Sequence, residues 1–127
     1  MSKIYIQGTF GAYSHLAALE IEPSAEIVPC KTFDECFLKT SSEINSKMVI
    51  PESNRITGNI GIEYLIFKYR LNIYAEHFQK IEHNLLGQPG ANLKDIRDVF
   101  SHTQGLSQCS KFIKKNNFIE HVRADTA

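Results

Sequence analysis

The sequence predicts an α/β protein with largely parallel strand pairing, and three observations carry that prediction. Short apolar runs alternate along the chain with segments of helical periodicity, giving a repeated strand-then-helix order. The joins from strand to helix are polar and rich in Gly, Ser, Thr, Asn, Gln or His. The composition of the 127 residues, 43% hydrophobic and 22% charged, suits one modest globular domain or two small lobes rather than a disordered chain.

Ile4-Tyr5-Ile6 forms the first strand, and Ser14 to Glu20 is helical with Leu16, Ala17 and Leu19 to bury. Between them lies QGTFGAYSH, where Gly8 and Gly11 free the backbone and Ser14 either caps the helix or contacts a ligand. This is not the GxGxxG spacing, so nothing points to a dinucleotide. Ile27-Val28 is the next strand, broken by Pro29. Thr32 then opens a helix with a capping box closed by Glu35, and Phe33, Cys36 and Phe37 make its inner face. Lys47 to Ile50 is a strand stopped by Pro51. The polar loop PESNRITGNIG follows and leads into a helix from about Ile60 to Tyr69. Asn72 to Leu86 is extended chain, Gln88-Pro89-Gly90 is a turn, and Asn92 caps the short segment LKDIRD. Val99-Phe100 runs through Ser101, His102, Thr103 and Gln104 into a helix. Leu106, Cys109, Phe112 and Ile113 form its apolar face, while Lys111, Lys114 and Lys115 lie on or beside the polar one. Phe118 to Val122 is the last strand, before Arg-Ala-Asp-Thr-Ala.

Charge excludes some partners. Lysine plus arginine equals aspartate plus glutamate, 14 each, so no excess draws the chain to nucleic acid or a membrane surface. No stretch approaches the roughly 20 apolar residues of a membrane span, and the N-terminus passes straight into a strand. Cys30, Cys36 and Cys109 show no CxxC spacing and read as reduced, buried thiols of a cytoplasmic protein. The five histidines show neither HxxxH nor HxH spacing, so no metal is expected. Glu76 and Glu82 bracket His77; acid–base work is one reading, partly exposed strand residues the more ordinary one.

In parallel α/β sheets ligands gather beyond the carboxyl ends of strands. Four such ends are polar here: Gln7 to Ser14, Pro51 to Gly58, Ser101 to Gln104, and Asp125-Thr126. One polar loop alone is an N-cap, with Ser101 or Thr103 as the capping residue and His102 a surface side chain. Several on one edge make a site with many neutral donors and little net charge, suited to a small carboxylate.

Taken together, QGTFGAYSH, PCKTFDECF, VIPESNRITGNIG, EHFQKIEHNLL, VFSHTQGLSQC and the terminal ADTA resemble the catalytic domain of prephenate dehydratases, in order and in spacing, over nearly the whole chain. The resemblance implies a type II periplasmic-binding-protein-like fold. Two α/β lobes, here 1–72 and an incomplete 73–127, would face each other across a cleft. It implies conversion of prephenate to phenylpyruvate in phenylalanine biosynthesis, without a metal or organic cofactor. Matched positions put Ser14 and Asn54, from one lobe, and Ser101, His102, Gln104 and Thr126, from the other, against substrate.

Two departures stand out. Where the family reads Pro-Ile-Glu-Asn-Ser, this chain keeps Pro51, Asn54 and Gly58 but has Glu52-Ser53 and Arg55, so the acidic residue is one position out of register. Alternate strand-end residues point differently, so Glu52 replaces the family's carboxylate only through a local bulge. Arg55 is either a bidentate grip on a substrate carboxylate or a solvated surface residue. The family's Thr-Arg-Phe motif, credited with catalysis, and its phenylalanine-binding ACT domain are both absent, so the chain resembles a front portion of such an enzyme. The alternatives are a binding module for a small carboxylate and an inactive remnant. An incomplete lobe leaves an edge to cover, which predicts a homodimer.

Overall fold

The computed structural model describes residues 2–54 and 58–124, which form two compact units, Met1–Ile81 and Glu82–Ala127. Residues 73–81 fall in the first unit.

In the first unit, strands β1 (Lys3–Gln7), β2 (Glu26–Cys30) and β3 (Ser46–Val49) make a parallel sheet in the order β2-β1-β3. Ile4 faces Ile27 on one side and Lys47 on the other. Period-two alternation sends the residues of β1 to two cores. Ile4 and Ile6 pack with Ala18 of helix α1 (Tyr13–Ile21), while Tyr5 packs with Cys30 and with Cys36 of helix α2 (Phe33–Ser42). The two helices therefore cover opposite faces. Ala17 and Ala18 are the buried residues of α1, whereas Leu16, expected inside, is exposed; small side chains let the helix lie close on the sheet. Pro29 does not break β2. It sits opposite Ile6 within an edge strand, where the missing N–H is not required by a neighbour.

Helix α2 begins as its sequence dictates. Thr32 Oγ1 accepts the Glu35 N–H at 3.1 Å, and the Glu35 carboxylate reaches back to the Lys31 N–H at 2.8 Å, one residue before the expected box partner. The third polar loop contains a hairpin too short to see in sequence, β4 (Ser53–Asn54) paired antiparallel with β5 (Gly58–Asn59). Helix α3 (Glu63–Tyr69) starts later than expected. Gly61 has φ +81°, outside helical space, and its N–H is taken by Asn59 Oδ1. α3 packs on α2: Phe37 is fully buried with its ring 5.9 Å from Tyr69, and the Asp34 carboxylate accepts from Lys68 Nζ and Tyr69 OH, each at 3.0 Å. The segment after α3, read as strand-like, joins no ladder among the described residues; His77 Nε2 instead lies 3.2 Å from Glu20 of α1.

The second unit pairs β6 (Asp98–Ser101) with β7 (Ile119–Val122) in parallel. Between them run α4 (Thr103–Gln108) and α5 (Ser110–Lys115), two short helices where the sequence suggested one, separated at Cys109, whose ψ of 7° leaves helical space. Val99, Leu106 and Ile113 form the core, with Cys109 and Phe118 packed against it. The expected turn at Pro89-Gly90 is present, closed by the Ala91 N–H on the Gln88 carbonyl at 3.0 Å. Among the described residues no helix is long and apolar enough to cross a membrane.

Candidate functional site

The most developed strand-end cluster is at β6. This strand delivers Ser101 as its last residue, and its hydroxyl is buried with no hydrogen-bond partner among the described residues. An orphaned buried hydroxyl costs free energy unless a ligand or solvent completes it. His102, not Ser101 or Thr103, is the N-cap of α4: its Nδ1 accepts the Gln104 N–H at 3.2 Å. With Nδ1 engaged as acceptor, the neutral ring carries its proton on Nε2, which is left as a donor. His102, Thr103 and Gln104 are all exposed. Within four residues the chain thus offers a hydroxyl, an imidazole and a carboxamide. Such a set suits orientation of a carboxylate and proton donation to a leaving oxygen.

In the first unit, Ser14 lies in the opening turn of α1 rather than at its cap. The cap position is Ala12, whose methyl group cannot hydrogen-bond, and no side chain caps this helix end. The loop before it is pinned at three points. The Gly8 N–H donates to the Cys30 carbonyl at 2.9 Å, the Ala12 N–H to Thr9 at 3.1 Å, and the Gly11 N–H to His15 Nδ1 at 3.0 Å. Sequence reasoning missed the role of His15; the Gly-x-x-x-His spacing was its only signal. Asn54 ends β4, in register with Gly58. Glu52 precedes this strand and is exposed. Arg55 and Thr126, together with Thr57 and Asp125, lie outside the described residues.

Charge collects at the opposite end of the first sheet. At the amino ends of β1 and β3, Lys3 pairs with Glu43 at 2.7 Å and Lys47 with Glu22 at 2.6 Å. The Lys3 ammonium, helped by the Tyr5 hydroxyl, holds the Glu43 carboxyl below its ordinary value, and Lys47 does the same for Glu22. The described residues include no cluster of three or more His, Cys, Asp or Glu side chains able to hold a metal.

Parallel strands, helices on both faces of a sheet and polar strand-end loops place the chain in a known architectural class. It superimposes with a TM-score of 0.73 on GqqA, a quorum-quenching acylase, at 30% identity over 97% of this chain and 45% of that one. With the prephenate dehydratase of Staphylococcus aureus the TM-score is 0.69, at 22% identity over 95% of this chain and 47% of that one. These define an α/β protein of the type II periplasmic-binding-protein-like class. The family model for prephenate dehydratase matches residues 4–127, and the chain belongs to that family. Arogenate dehydratase/prephenate dehydratase 1 of Arabidopsis thaliana, a chloroplastic protein, is 39% identical over 127 residues; the alignment takes in 98% of this chain and 32% of the relative. The chain spans about a third of the length of its plant relatives.

Proposed function

We propose that this chain acts in the decarboxylating dehydration of prephenate to phenylpyruvate, with arogenate as the amino analogue to be tested beside it. The β6 strand-end cluster carries the proposal, in particular the buried and unpartnered Ser101 hydroxyl beside the exposed His102 and Gln104. In the reaction the bond from the ring to its carboxylate breaks and carbon dioxide leaves. The electron pair moves through the ring, the ring hydroxyl takes a proton supplied ultimately by solvent and departs as water, and the ring becomes aromatic. Aromatisation supplies much of the driving force, so the protein's part is to orient two carboxylates and assist the departing hydroxyl.

Ser101 and His102 Nε2 are donors of the required kind, with Gln104 as a neutral partner for a carboxylate. Ser14, Asn54 and Thr126 are substrate-contacting positions by their match to the family pattern, and Arg55, which departs from that pattern, is a further candidate because a guanidinium can grip a substrate carboxylate bidentately. Incubation with prephenate, followed by phenylpyruvate absorbance in alkali, tests the proposal, and arogenate is followed by phenylalanine formation. Product no faster than the uncatalysed rate at high protein concentration overturns it. Ser101→Ala lowers phenylpyruvate affinity about fivefold, the loss of one hydrogen bond of about 1 kcal/mol, without loss of stability.

The finer placement is a cytoplasmic homodimer. Three free cysteines favour a reducing compartment, and the exposed Phe100 and Ile119 on one face of a parallel pair favour a covering surface. A single monomeric species by light scattering at micromolar concentration overturns the dimer.

A further inference from the structure

We propose that His15 is a positioning residue: its imidazole clips the loop ahead of Ser14 into the shape in which that stretch meets substrate. The inference rests on the functional reading above for the substrate, but not for the clip itself.

Thr9, Phe10 and Gly11 are exposed, and the Phe10 ring is 61% accessible, so no apolar core holds this part of the loop. Gly8 and Gly11 have φ of +113° and +92°, conformations open to glycine and costly for other residues. Such a stretch has many accessible backbone states, and ordering it on binding would weaken affinity. The Ala12 N–H on the Thr9 carbonyl closes a turn across the middle of the loop, and the side-chain restraint on that turn returns from the first turn of α1. His15 Nδ1 accepts the Gly11 N–H at 3.0 Å, and the Phe10 ring stands edge-on to the imidazole with centroids 5.2 Å apart at 77°. One half-buried histidine therefore fixes both the backbone and the side chain of the tip. Because Ser14 is its immediate neighbour on the helix, the clip sets where the loop lies relative to the Ser14 hydroxyl.

The test uses the full chain and three proteins: wild type, His15→Phe and His15→Asn. Phenylalanine keeps a ring for Phe10 but has no acceptor, whereas asparagine places an oxygen close to the position of Nδ1. Amide exchange by NMR reads the clip. The Gly11 amide exchanges about 3- to 10-fold faster in His15→Phe than in wild type, and His15→Asn restores most of the protection. Titration with phenylpyruvate reads the consequence: affinity falls about 3- to 10-fold in His15→Phe and recovers in His15→Asn, with the urea midpoints of all three alike. Equal Gly11 exchange in wild type and His15→Phe overturns the clip. Equal affinity of those two proteins, with Gly11 loosened, overturns its positioning role. Wild type that binds no phenylpyruvate removes the proposed function and with it the positioning role, while the exchange comparison still decides the clip.

Discussion

The contact between α2 and α3 makes the sharpest stability test, because a phenylalanine on one helix and a phenylalanine on the other are in opposite circumstances. Phe37 on α2 is fully buried and lies against Tyr69, whereas Phe67 on α3 is 88% exposed. Truncating Phe37 to alanine removes a ring from a packed site and leaves a cavity that its neighbours fill only in part. Such losses cost about 3–5 kcal/mol. With a urea dependence of about 2 kcal/mol per molar, the unfolding midpoint falls by roughly 1.5–2.5 M. Phe67→Ala removes the same atoms from solvent-facing surface and stays within about 0.5 kcal/mol of wild type. Equilibrium urea titration followed by circular dichroism, with both variants measured beside wild type, decides the matter. A Phe37→Ala cost below about 1 kcal/mol, or equal costs at the two sites, refutes the placement of Phe37 in the core. Loosening α3 also reaches the hairpin before it: Asn59 of β5 hydrogen-bonds Glu63 at the start of that helix, and Asn54 lies on the partner strand.

Other consequences are checked with equally simple measurements. Thr32→Ala removes the α2 cap and lowers stability by about 1 kcal/mol in the same urea assay, while Thr32→Asp retains most of it. Lys47, Lys68, Lys39 and Lys3 hold the carboxyls of Glu22, Asp34, Glu35 and Glu43 below their ordinary values. The unfolded chain therefore binds more protons as pH falls through the carboxylate range; stability is full above about pH 5 and declines below it. A urea midpoint unchanged between pH 6 and pH 3.5 contradicts this. Burial pushes the Cys36 thiol up, and Cys30 beside it is also buried, while Cys109 is partly exposed. A thiol reagent accordingly labels Cys109 first in the native protein and reaches the other two on unfolding, which mass spectrometry resolves residue by residue.

Apolar runs made the β1, β2 and β3 strands and the α2 start legible, because burial and capping act within a few residues. The features that escaped depend on partners distant in sequence or on single dihedral angles. The two-residue strands β4 and β5 have no periodicity to read. Pro29 is compatible with a strand only because β2 is at an edge, a fact of sheet order rather than of local sequence. The sheet-like residues after Asn72 alternate imperfectly, and no ladder takes them up among the described residues. At the candidate site, the strand-to-helix position of Ser101 to Gln104 was readable, but the choice of His102 as cap was not. Serine and threonine are the commoner capping residues, and an imidazole does that work only when its ring turns back over the first turn. Ser14 likewise sits inside its helix rather than at the cap because the loop closes through Gly11 and His15.

The placement of β1 between β2 and β3 bears on how the polypeptide assembles during synthesis. Of the three strands, the first to leave the ribosome forms the centre of the sheet, and each later one is added to an open flank. No segment has to thread between neighbours already in place, so the nascent chain builds outward from a seed. A circular permutant that moved Lys3–Gln7 to the end of translation would reverse that history: its last strand would have to insert into a gap between two unsupported ones, and its folding would slow even if the finished contacts were the same.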